Sequence, residues 1–68
     1  MELKTDFDKL DEGRCITLHP NNRNLLHDKP IRATYSMGYF YCHGSNPEDG
    51  PDYYLGDVLA YNDGYTDA

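Results

Sequence analysis

Five side chains in this sequence have the chemistry to bind a metal or attack an electrophile: Cys15, Cys42, His19, His27 and His43. Zinc sites draw on close pairs such as C-x2-C or H-x3-H, because one turn then presents two ligands. Only Cys42 and His43 are neighbours, and adjacent residues of a strand point to opposite faces. The same geometry denies Cys42 a histidine base, and no third group is identifiable to orient one. Cys15 and His19 have no partner pair along the chain. The pattern predicts a small buried cysteine and surface histidines, not a metal centre.

The carboxylates supply oxygen ligands, yet neither Asp49 to Asp57 nor Asp63 to Asp67 follows the D-x-D-x-D-G order of a calcium loop. No glycine loop is built to cradle a phosphate. A 68-residue chain forms one domain, and at this size only about 60% of the unfolded surface is buried. A deep cleft, which would perturb paired carboxylates for acid–base work, is not expected. No cofactor and no catalysis are expected.

Charge is the stronger signal. In DGPDYYLGD, residues 49–57, three aspartates and two adjacent tyrosines stand without a balancing cation. Residues 1–32 carry all six basic residues and six acids, so the formal net charge of −6 belongs to residues 33–68. All seven tyrosines lie in that second half as well. Acidity alone mostly serves solubility, whereas acidity segregated with aromatic rings is a feature of contact surfaces. The candidate partner-binding residues are Glu48, Asp49, Asp52, Tyr53, Asp57, Tyr61, Asp63, Tyr65 and Asp67.

These residues need elements to hold them. Leu3, Phe7 and Leu10 fall at i, i+4 and i+7, which predicts a short N-terminal helix opened by Thr5 and ended near Gly13; an extended arm is the rival. Arg14 to His19 alternates as a strand, with Ile16 and Leu18 on one face and Cys15, Thr17 and His19 on the other. Pro20 and the Asn-rich segment after it stop that strand, and Leu25 and Leu26 tuck a loop against the core. IRATYSMGYFYCHG reads as a hairpin turning at Met37-Gly38, with Tyr35 opposite Phe40 and Ala33 opposite Cys42. That register gathers Ile31, Ala33, Tyr35, Phe40 and Cys42 inside, and it keeps Cys42 away from Cys15, so no disulfide is expected. SNPEDGPD is a loop on turn chemistry. A helix is preferred over a strand for YYLGDVLAYN, with Gly64 as its C-terminal cap.

The expected fold is α+β: a small antiparallel sheet of about three strands with one or two short helices packed on one face. Its core should hold Ile16, Leu18, Ile31, Ala33, Phe40, Leu55, Val58 and Leu59. No apolar run reaches a membrane span, and MELKTDFDKL is too charged for a signal peptide, which predicts a cytoplasmic protein. In size and acidity the chain resembles small phage-encoded proteins that disable bacterial defence or transcription machinery. The expected function is an inhibitor that occupies a basic, nucleic-acid-binding surface of a host protein by acidic, tyrosine-rich mimicry, as a monomer or small homo-oligomer. A phage assembly accessory protein is the alternative. Direct nucleic-acid binding through Arg14, Arg23, Lys29 and Arg32 is opposed by the net charge.

Overall fold

Alternation with a period of two builds the centre of the molecule. In a computed structural model that describes residues 2–23 and 25–67, Ile16 and Leu18 are buried in β1 (Cys15–Pro20), while Cys15, Thr17 and His19 turn to the other face. β2 (Ile31–Ser36) and β3 (Tyr39–Cys42) pair as the predicted hairpin, with Tyr35 opposite Phe40 and Ala33 opposite Cys42. Its two turn residues, Met37 and Gly38, both take positive φ, at 51° and 83°. Such a turn twists with the strands it joins. Glycine adopts that conformation freely but methionine does not. Glu12 supports the methionine by accepting a hydrogen bond from the Met37 amide at 2.8 Å and one from the Ser36 hydroxyl at 3.3 Å.

The rest of the architecture corrects the sequence reading. Instead of about three strands with helices packed on one face, five antiparallel strands curl into a half-barrel, with one short helix. Beyond β3 comes β4 (Tyr53–Tyr54), then α1 (Leu55–Tyr61), then β5 (Asn62–Asp67). The sheet order is β4-β3-β2-β1-β5, so α1 carries the chain from one edge strand to the other. On the inner face lie Ile16, Leu18, Ala33, Phe40, Val58 and Tyr65, closed off by Phe7 and Leu10.

Three local expectations fail for tertiary reasons. The N-terminal helix is absent apart from a 3-10 turn at Phe7–Lys9, and the preceding residues run as an arm. Lys4 exchanges backbone hydrogen bonds of 2.9 Å in both directions with Tyr65. No cap bond from Asp6 opens the turn; its carboxylate instead accepts from the Tyr65 hydroxyl at 2.6 Å. Next, α1 ends at Tyr61, because Asn62 is extended at φ −124° and ψ 146°. Gly64 is therefore a strand residue rather than a helix cap, pressed against the arm: a Cβ built there would lie 2.6 Å from the Lys4 carbonyl oxygen. Lastly, a helix of seven residues has room for one well-buried side chain, and Val58 takes it. Leu59 stays 56% exposed and is not core; Ile31 and Leu55 are only partly buried against it.

Both sheet edges are guarded. β4 is two residues long, and the outer edge of β5 is joined by the Lys4 bridge. Unpaired edges invite strand addition by another chain, so short or occupied edges work against growth of the sheet between molecules.

Candidate functional site

The acidic half of the chain divides into carboxylates that are bonded to other parts of the fold and carboxylates that are not. Asp52 belongs to the first group. It accepts from the Cys42 amide at 2.8 Å and from the Ser45 hydroxyl at 3.1 Å, which fastens the loop between β3 and β4. Asp67 is gripped by Lys4 at 2.6 Å and by Arg14. These partners, Lys4 first, hold its carboxyl below the usual aspartate range. Glu48, Asp49, Asp57 and Asp63 are exposed, as Asp52 and Asp67 also are, and differ from those two in lacking partners. Their side chains form no ion pair or hydrogen bond with another described residue.

The predicted tyrosines divide in the same way. Tyr65 is fully buried, 5.0 Å from the Phe7 ring, with the Arg14 guanidinium 5.8 Å from its centroid. Tyr53 is half-buried, donates to the Leu26 carbonyl at 3.0 Å and packs 5.6 Å from the His27 ring. Tyr61 is half-buried as well. The most exposed tyrosine rings are two that sequence reasoning did not select, Tyr39 and Tyr54, at 37% and 57% exposure. They stack edge to face at 5.2 Å across β3 and β4. Their positions directly opposite each other in the ladder were not legible until residues 53–54 were known to be a strand.

A second cluster joins residues far apart in sequence. β1 sets Cys15 opposite Thr34, and the β2–β3 ladder continues past Cys42 through a His43 amide to Arg32 carbonyl bond of 3.0 Å. Cys15 and His43 thereby meet on the outer face, Sγ to Nε2 at 3.1 Å. The Thr34 hydroxyl lies 3.1 Å from the same nitrogen. Neighbour spacing along the chain gave Cys15 no partner; the strand register supplies one. An open groove of about 340 Å³ adjoins the pair on its His43 side, lined by Thr34, Tyr41, Cys42, His43, Ser45 and Asp52. Cys42 packs against the core on the opposite face, and both thiols are free. Burial first, and then the nearby Asp52 charge, push the Cys42 thiol up to about 11.

A larger open hollow of about 540 Å³ is lined by the N-terminal arm, including Glu2 and Asp6, together with Arg14 and Tyr65. Among the described residues no three His, Cys, Asp or Glu side chains gather closely enough to hold a metal ion. None of the described helices is long and apolar enough to cross a membrane.

No family model, curated protein or solved structure matches the chain. Its chemistry is therefore read from its own residues.

The clasp between the arm and β5 gives the fold a pH dependence at both ends. The Tyr65 hydroxyl lowers the Asp6 carboxyl, and Asp67 is lowered by its cations. A carboxyl depressed on folding stabilises above the unfolded value of about 4, and that stabilisation is lost as pH falls through the folded value. Tyr65 behaves oppositely. Burial, and then its bond to Asp6, push it up to about 12. Its stabilisation is complete below the unfolded value of about 10 and is lost as pH rises toward the folded one. Thermal melts across pH should show both limbs. Asp67→Asn should flatten the acid limb and Tyr65→Phe the alkaline one; an unchanged alkaline limb in Tyr65→Phe would place that transition elsewhere.

Proposed function

We propose that this chain is a small, non-catalytic binding protein that occupies a basic, nucleic-acid-binding surface of a host protein in the cytoplasm. The observation that carries this reading is the set of exposed carboxylates Glu48, Asp49, Asp57 and Asp63, which have no ion-pair or hydrogen-bond partner among the described side chains, in the same half of the chain as the exposed Tyr39–Tyr54 pair. Lys4 and Arg14 are both engaged by Asp67, which leaves four basic residues against eleven acidic ones elsewhere.

Magnitudes limit how much of the contact is electrostatic. The longest dimension is 31 Å, and duplex DNA of that length carries about 18 phosphate charges. A net charge of −6 imitates a third of that array. The remaining affinity must come from buried area, which tyrosines supply at low entropic cost. Guarded sheet edges favour this reading over the alternative, a phage assembly protein that self-associates along a strand.

The test is capture from a bacterial lysate on the immobilised chain, elution by a salt gradient, and repetition with a variant carrying Glu48→Gln, Asp49→Asn, Asp57→Asn and Asp63→Asn. Asp52 and Asp67 are left intact because the fold uses them. The expected result is a basic nucleic-acid-binding protein held by the parent and held at least about tenfold more weakly by the variant at low salt. Equal retention by both chains would refute the proposal. Salt-insensitive self-association in sedimentation would favour the assembly reading.

A further inference from the structure

The Cys15–His43 pair is not needed for acidic mimicry and has chemistry of its own. We propose that Cys15 is a reactive thiol, with His43 as its base, that peroxide oxidises reversibly to the sulfenic acid. The thiolate is the nucleophilic form of cysteine, so the site requires a group placed to take the thiol proton. Nε2 of His43 is 3.1 Å from Sγ, within reach of that proton. The same nitrogen is 3.1 Å from Thr34 Oγ1. In the neutral ring its lone pair accepts from the thiol. After transfer, the new N–H lies between the thiolate and the Thr34 oxygen, and the hydroxyl, which both donates and accepts, turns to suit. No heavy atom has to move.

The surroundings select the oxidant. The groove beside the pair is open, so it offers little to grip a large substrate. The chain is strongly acidic, with Asp52 on the groove's border, which disfavours anionic electrophiles. Hydrogen peroxide is small and neutral. The sulfur attacks one peroxide oxygen; an S–O bond forms as the O–O bond breaks. Two electrons pass from sulfur to peroxide, and the departing hydroxide takes the proton from His43 to leave as water. Cys42 also borders the groove, but its side chain packs against the core and burial pushes its thiol up to about 11, which makes it a poor resolving thiol at pH 7. Reversal therefore draws on an external low-molecular-weight thiol. One molecule condenses with the sulfenic acid to a mixed disulfide and water, and a second attacks that disulfide, releasing Cys15 as the thiol and the two small thiols as their own disulfide.

The test uses the whole chain at pH 7, pulsed either with iodoacetamide or with hydrogen peroxide and dimedone, and read by peptide mass mapping. Cys15 should be alkylated at least about tenfold faster than in His43→Ala, and dimedone should mark Cys15 alone. His43 is exposed, so its truncation should leave the melt unchanged. Loss of structure would expose the thiol further, so a fall in rate cannot come from unfolding. Equal alkylation in parent and variant overturns the role of His43. Alkylation of Cys15 without a dimedone adduct overturns the assignment to peroxide.

Discussion

Truncating Phe40 to Ala is expected to cost about 3–5 kcal/mol, among the largest losses from a single side chain in this molecule. Phe40 is completely buried, lies edge-on to Phe7 at 6.3 Å and packs against Tyr35 at 5.4 Å. It joins the hairpin to the N-terminal arm through side-chain packing alone. A chain of 68 residues has only about 3–10 kcal/mol of net stability at the usual yield per residue. Urea titration of Phe40→Ala should therefore show a mostly unfolded chain at 37 °C, or a midpoint shifted far toward water. A midpoint matching the parent would mean that the core closes without this ring.

Gly64→Ala should produce the second large effect, through excess atoms rather than missing ones. The added methyl group would meet the Lys4 carbonyl oxygen at 2.6 Å and the Leu3 Cβ at 2.8 Å. One of those neighbours is backbone and cannot rotate away, so arm and strand must separate. Overpacking of this kind costs about 1–3 kcal/mol. It also weakens the paired Lys4–Tyr65 bonds and, with them, the Tyr65–Asp6 contact and the seat of Phe7. Limited trypsin digestion should report this directly, with faster cleavage at Lys4 and Lys9 than in the parent while the rest of the chain stays resistant. Unchanged protection at those sites would show that the arm adapts without cost.

Where the sequence was legible, short-range rules were enough. β1 announces itself by alternating Ile16 and Leu18 with polar residues, and the β2–β3 register follows from the need to put Ala33, Tyr35, Phe40 and Cys42 on one side. The spacing of Leu3, Phe7 and Leu10 correctly marked an inward-facing set, since Phe7 and Leu10 are buried. It did not reveal that an arm and a 3-10 turn, rather than a helix, deliver them. β5 was hidden because NDGYTD has no apolar alternation; its buried residues are an asparagine, a glycine and a tyrosine. The exposed charges could be counted from the sequence, but their division could not. Asp67, though exposed, is tied to the fold by Lys4, 63 residues away, and Tyr65 is withdrawn from solvent by a core that the composition does not place. The Cys15–His43 pair depends in the same way on two strand registers at once.

The strand order has a consequence for synthesis on the ribosome. β1 lies between β2 and β5, so the earliest strand to emerge waits for the latest one. The β1–β3 meander can assemble first, leaving one flank of β1 open and Ile16 and Leu18 without the cover of Tyr65. Translation at about 5–20 residues per second keeps that intermediate in being for seconds. An unpaired flank beside bare aliphatic side chains is the form most prone to pair with a neighbouring nascent chain. Codon choice between β3 and β5, which sets the length of that interval, should therefore influence the yield of native protein more than codon choice anywhere else in the message.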